Sequence, residues 1–232
     1  MRSELIVIAQ ARPIAGRKAD PHVCSILLDP EEMNLYRVRF SYEESPRKWE
    51  VIAANLYKSH SDSRKESMFV TDLEIQKKLT KAEQNNIHKS LLNSATSELE
   101  AVEDGRSINI TKIKAITLRR ESYTSKDINM RRNSYKKGIP LPPFKIKAIC
   151  EPLYEHKSKQ TNRLYLEWGA NFKLIRDGVK SFKEVKAAVS SIKYPYLIVG
   201  SHHRHTKDFM AIAAMSSPVP YGPGEQGELK LF

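Results

Sequence analysis

The chain has 232 residues, 39 of them Lys or Arg and 27 Asp or Glu, which leaves a formal charge of +12 at neutral pH. A chain of that length buries a core without disulfides or metals, so a stapled miniprotein is excluded. Hydrophobic residues make up 40% of it and charged residues 28%, and no apolar run approaches the roughly 20 residues of a membrane-spanning helix, which excludes an integral helical membrane protein. Glu4 interrupts the apolar run at the amino terminus, and Cys24 and Cys150 are too few for a disulfide framework. A cytoplasmic protein without an export signal is expected, with no membrane partner.

Residues 4–58 read as β structure. The runs Leu5–Ala9, Val23–Leu28 and Trp49–Ala53 are apolar, and Leu35-Tyr36-Arg37-Val38-Arg39-Phe40 alternates with period two. Turn signals at Pro13 to Gly16, Asp29-Pro30 and Ser45-Pro46 separate them, so a small antiparallel sheet or barrel is expected. Thr71-Asp72-Leu73-Glu74 and Thr80-Lys81-Ala82-Glu83 both have capping-box form and predict two helix starts. Ile87, Leu91, Ala95, Leu99 and Val102 continue the second at helical spacing to a stop at Gly105. Ile108, Ile110, Ile113 and Ile116 suggest a strand whose register slips between Ile110 and Ile113, which implies a bulge.

Further along, Pro140-Leu141-Pro142-Pro143 enforces an extended passage, and Phe144–Cys150 alternates as a strand. Helices are expected at about Arg163 to Arg176, with Leu164, Trp168, Phe172 and Ile175 on one face, and from Phe182 to Ile192 behind a Ser181/Glu184 cap. Strands at Tyr196–Val199 and Phe209–Met215 then flank a histidine-rich turn, and a Pro- and Gly-rich tail closes the chain. The reading is an α+β protein. It has a β-rich part with a helical insertion over 1–120, a basic connector over 121–143, an α/β part with a β-hairpin over 144–215, and a loose tail over 216–232.

The positive charge is concentrated. Between Lys112 and Lys147, eleven basic residues oppose two acids, a net +9 in 36 residues, whereas the other 196 carry +3. A one-sign stretch repels itself unless a polyanion neutralises it, so this segment is read as a nucleic-acid-binding element. Its cations are Lys112, Lys114, Arg119, Arg120, Lys126, Arg131, Arg132, Lys136 and Lys137 together with Lys145 and Lys147, and Tyr123 and Tyr135 could stack on bases. A solubilising loop, an acidic protein partner or an anionic lipid surface are the alternatives. His203, Arg204 and His205 in the histidine-rich turn are further phosphate contacts.

Enzyme signatures are sparse. There is no phosphate loop, Gly-x-Gly-x-x-Gly, Gly-x-Ser-x-Gly or His-Glu-x-x-His motif. His202, His203 and His205 could ligate a divalent metal or move a proton, which sets up the rival reading of a metal-dependent nuclease. No carboxylate cluster accompanies them, and Cys150 with His156 is a weak zinc pair, so neither cofactor nor metal is expected. Glu184-Val185-Lys186 has a nuclease-like spacing on a helical period, and Glu167 beside Trp168 and Asp62 to Ser67 are further acidic candidates, with surface salt pairing favoured for each. The two helices around Gly178 also fit a helix-turn-helix with the following hairpin as a wing.

The amino-terminal sheet, the element Asp62-Ser63-Arg64-Lys65-Glu66-Ser67 after a Trp-containing strand, and Tyr196-Leu197-Ile198-Val199-Gly200-Ser201-His202 together resemble an uncharacterised family of prokaryotic proteins from mobile-element and defence neighbourhoods. The similarity spans most of residues 4 to 215 and implies a setting rather than a reaction. Those relatives are richer in cysteine near Cys150, so no cysteine-ligated metal site carries over. The sequence therefore points to sequence-tolerant binding of DNA or RNA, as an accessory subunit beside other proteins of a nucleoprotein complex.

Overall fold

The computed structural model describes residues 2–11, 20–125, 128–129, 132, 136–139, 144–152, 164–166, 181–202 and 205–218. Five strands close a first barrel: β1 (Arg2–Gln10), β2 (His22–Leu28), β3 (Leu35–Ser41), β4 (Glu50–Lys58) and β5 (Ser67–Lys78), in the order β1-β2-β3-β5-β4. β4 returns to β1, and β3 with β5 is the one parallel pair. Helices α1 (Lys81–Asn93) and α2 (Glu98–Glu103) lead to a second barrel of β6 (Ile108–Glu121), β7 (Lys145–Pro152), β8 (Leu164–Leu166), β9 (Pro195–His202) and β10 (His205–Ser216), with α3 (Phe182–Ser190) between β8 and β9. Its order is β10-β8-β7-β6-β9, closed, with β8 and β10 parallel. Numbered within each barrel, both run 1-2-3-5-4-1.

Strand periodicity explains how the barrels join. Leu5, Val7, Leu27, Val38, Phe40 and Ile52 fill the first barrel, and Ile113, Ile116, Leu197, Val199, Phe209 and Ala211 fill the second. The alternate residues of the same strands face the other way: Ile6, Ile8, Ile26, Leu28 and Val51 meet Ile108, Ile110, Tyr196, Ile198, Ile212 and Met215 in a third core that also takes Leu91 and Leu92 of α1. These strands are buried on both faces, which is why they read as unbroken apolar runs rather than as alternation.

The chain is mostly β with few helices, where α+β was expected. Thr71–Glu74 lies inside β5 and starts no helix: β4 pairs Asn55 with Thr71 but Ala53 with Glu74, so an extra residue bulges out at Asp72, whose φ is 54°. The helix at Thr80 does carry its capping box but ends at Asn93, and a second box, Ser97 with Glu100, starts α2. The break is held by Asn109, whose amide donates to the Thr96 and Ser97 carbonyls at 3.1 and 3.2 Å. β6 pairs with β9 and β7, so it opens the second barrel and the expected division at 120 cuts through this strand. Its register shift falls between Ile113 and Ala115, one step beyond the expected slip. Leu164–Leu166 is a strand where a helix was expected, which removes the start of the helix-turn-helix; residues 167–180 lie outside the described residues, as does the tail beyond 218. Among the described residues no helix is long and apolar enough to cross a membrane.

His88 of α1 is buried in the shared core, 2.7 Å from the Tyr196 hydroxyl and edge-on to Trp49. Burial, reinforced by Lys48 and Lys81, pushes its pKa down to about 4, and burial pushes the Tyr196 phenol up. The folded state resists a proton that the unfolded chain takes up at its ordinary value of 6.5, so His88 adds a loss of stability as pH falls from about 6.5 toward 4. Denaturant midpoints measured across that window are expected to fall in the parent protein and to fall less steeply in His88→Leu.

Candidate nucleic-acid interface

The 1-2-3-5-4-1 order with a parallel third and fifth strand is the connectivity of the OB barrel, in which oligonucleotides or oligosaccharides lie on the face of strands two and three beside the one–two and four–five loops. In the second barrel the one–two loop runs from β6 to β7, residues 122–144, and the four–five loop is the turn between β9 and β10. These are the basic connector and the histidine-rich turn. Two segments singled out independently, one by charge and one by histidine content, are the one–two and four–five loops of one barrel.

Individual residues divide as follows. Arg119 and Arg120 are exposed at the end of β6, and the Arg120 guanidinium lies 5.1 Å from the Phe144 ring centroid. Phe144 in turn packs edge-on against Phe182 of α3 at 6.2 Å, which anchors the base of the loop. Arg132 and Lys136 are exposed on helical backbone, and Lys137 approaches Asp20 of the first barrel at 3.6 Å. Tyr123 is half-buried, which limits its ring as a stacking platform. Lys112 is half-buried where β6 pairs with Tyr196 of β9, away from the loop. Lys114 sits at the β6 bulge and His205 pairs with His202 at the root of the turn. Lys126, Arg131, Tyr135, His203 and Arg204 lie outside the described residues, as do His156 and Glu167.

The strand register adds Ile149 and Tyr165 to the basic positions already counted. Arg119 is opposite Lys147 and Glu121 opposite Lys145 in β6–β7, while Ile149 is opposite Tyr165 in β7–β8. Directly opposed residues share a face of the sheet, so positions 145, 147, 149 and 165 belong to the face on which Arg119 is exposed. Tyr165 was missed because Leu-Tyr-Leu was absorbed into a helical period; its apolar, aromatic, apolar alternation was the available signal. Glu184 and Lys186 lie on α3, so their spacing does not place both side chains on one face of a strand. Among the described residues no three His, Cys, Asp or Glu side chains converge as a metal site.

The Asp62–Ser67 element is the corresponding four–five loop of the first barrel leading into β5, and Arg64 and Glu66 from it pack against the second rather than pairing charges on the surface. Arg64 forms a two-pronged pair with Asp62, and its Nη1 donates to the Ser201 carbonyl at 2.6 Å. Glu66 accepts from the Ser107 amide and hydroxyl, both at 2.7 Å. Arg37 of β3 donates to the Ser107 carbonyl at 3.0 Å, an oxygen that also accepts from the Ser201 amide at 2.8 Å. Burial opposes ionisation of Asp62, but the hydrogen bonds from the Arg64 guanidinium and amide outweigh it and hold the carboxyl well below the usual range. The Asp62–Ser67 element and the Tyr196–His202 strand are thus in direct contact, at the root of the histidine turn.

Gly200 makes this contact sterically allowed. A Cβ there would sit 2.6 Å from Arg37 Nη2 and 2.7 Å from Ile212 Cδ1, and the guanidinium cannot swing away without losing Ser107. Gly200→Ala is expected to cost about 1–3 kcal/mol in urea unfolding. Arg64→Met alone strands a buried carboxylate and is expected to cost about 3–5 kcal/mol, whereas Asp62→Leu with Arg64→Met removes both charges and recovers most of that loss. Equal instability of the single and double variants would show that the pair itself is not what Asp62 depends on. No family model matches the chain and no curated protein matches its sequence, so barrel connectivity and loop chemistry carry the functional argument.

Proposed function

We propose that the protein binds single-stranded DNA or RNA across the second barrel, with little sequence preference, as a non-catalytic subunit of a nucleoprotein assembly. The observation that carries this reading is that the one–two loop of an OB-type barrel lies within the +9 segment and the histidine turn is its four–five loop. A second observation supports it. Arg119 and Lys147 are register partners across β6–β7, so two basic positions lie on neighbouring strands beside the one–two loop. The sheet face offers Tyr165 as a position for stacking, while the loops track the backbone through charge. A strand with exposed bases uses both features, whereas a duplex hides its bases from a sheet surface.

Cations on the β6–β7 loop and at the end of β6 neutralise phosphates and release counterions, so affinity falls with salt. With about five contacts, log Kd against log salt is expected to have a slope of roughly 3.5 for a single strand. Arg119→Ala with Arg132→Ala should lower that slope by about 1.4 while leaving unfolding within about 0.5 kcal/mol of the parent, because both side chains are exposed. Fluorescence anisotropy across a salt series checks this, and salt-independent binding or none at low salt contradicts the proposal. Incubation of labelled single strands with Mg, Mn or Zn is expected to give no cleavage. Metal-dependent products that vanish in His203→Ala with His205→Ala would favour the nuclease reading instead.

A further inference from the structure

The first barrel carries an exposed row that its own fold does not use. Tyr57 and Phe69 are directly opposite in β4–β5, their rings stacked at 5.2 Å and 21°, and they remain 47% and 44% exposed. β3 pairs in parallel with β5 as Arg37 with Ser67 and Val38 with Met68, so the next residues along set Arg39 beside Phe69. Val38 and Met68 point into the barrel, which leaves Arg39 and Phe69 outward. Arg39 is exposed and joins no ion pair among the described residues. Arginine, phenylalanine and tyrosine therefore form one cross-strand row on the surface.

The location of this row matters more than its composition. Two residues earlier on the same strands, Arg37 and Ser67 are buried at the seam, and Arg37 bonds Ser107 of the second barrel. Two residues along a strand is about 7 Å, close to the spacing of successive nucleotides in an extended strand. The row thus emerges immediately beside the seam that fixes Ser201, from which the histidine turn departs. Lys58 and Lys65 are exposed on the seam side, their ammonium groups also donating to the loop carbonyls of Arg64 and Lys65 and to that of Asp104. On the opposite side Asp72, held by Asn55 and Thr71, repels phosphate and ends the favourable surface.

We infer that Arg39, Phe69 and Tyr57 form a second base-stacking subsite, where a single strand of DNA or RNA leaving the second barrel at its histidine turn crosses the seam and lays a base against the first barrel. This rests on the proposed nucleic-acid function and adds that the occupied length exceeds one barrel. The aromatic faces take bases of any sequence, and Arg39 takes the adjoining phosphate or the edge of the stack.

Anisotropy titrations with labelled single strands of about 8 and about 25 nucleotides separate one-barrel from two-barrel occupancy. The parent is expected to bind both, the longer more tightly. Tyr57→Ala with Phe69→Ala should weaken the longer strand by about tenfold or more and leave the shorter within about twofold. Should that pair of changes unfold the β4–β5 hairpin, as a lowered melting temperature would show, Arg39→Ser decides alone, because an exposed arginine contributes little to stability; a several-fold loss confined to the longer strand is then expected. Equal losses on both lengths, or none on the longer, overturn the subsite while leaving the second-barrel reading intact. A parent protein that binds neither length overturns both.

Discussion

The rest of the structure depends on a shared wall. Strands β1, β2 and β4 of one barrel and β6, β9 and β10 of the other each have two buried faces, one lining a barrel and one lining the seam. Apolar burial makes the seam adhesive but does not orient it, since hydrophobic contact is non-directional. Orientation comes from the polar groups threaded through it: two guanidiniums and one carboxylate in the first barrel, set against the backbone of Ser107 and Ser201 in the second. Each of these has a fixed geometry, and Gly200 provides the clearance for one of them. The barrels are held as one piece with a defined rotation between them.

That arrangement divides labour between two copies of the same connectivity. The four–five loop of the first barrel, Asp62 to Glu66, is spent on the seam, so it cannot close over a ligand on its own barrel. At the root of the equivalent turn in the second barrel, the Ser201 carbonyl accepts from Arg64 and His202 pairs with His205. The one–two loops differ in charge as well: Lys112 to Lys147, which brackets the second, carries most of the molecule's excess positive charge. Identical topology thus yields one barrel whose four–five loop is committed to the seam and one bracketed by most of the excess charge, and chemistry rather than fold makes the distinction.

How much of this was legible in the sequence follows from what each signal measures. Local signals were reliable where structure is local: Thr80 and Glu83 cap α1 as their spacing implies, Gly105 takes a positive φ after α2, and the strand at Tyr196–Val199 is where its apolar run lies. They failed where a tertiary neighbour overrides propensity. Thr71–Glu74 satisfies the capping pattern, yet pairing with β4 holds it in a sheet and places its carboxylates on Arg2 and at a bulge. The break between α1 and α2 is imposed by Asn109 reaching back from β6, which periodicity within the helix does not register. The charge excess spans the β6–β7 connection, but charge alone does not register that β6, β7, β9 and β10 close into one barrel, so that this connection and the β9–β10 turn belong to the same unit.

Arg37 and Arg39 make the same point at the scale of one strand. Both lie on the outward face of β3 in a pattern, Leu-Tyr-Arg-Val-Arg-Phe, that any half-buried strand would show. Arg37 falls under the second barrel, where burial lowers its pKa with Arg64 adding to the effect, while Cys24 and, more weakly, Asp62 offset part of it and the Ser107 carbonyl accepts its hydrogen bond. Arg39, one pleat further, has no such cover and keeps its hydration and its long-range field. Their intrinsic chemistry is identical. One has become a fastener because a carbonyl lies within 3.0 Å, and the other remains available to an anion because the seam ends before it.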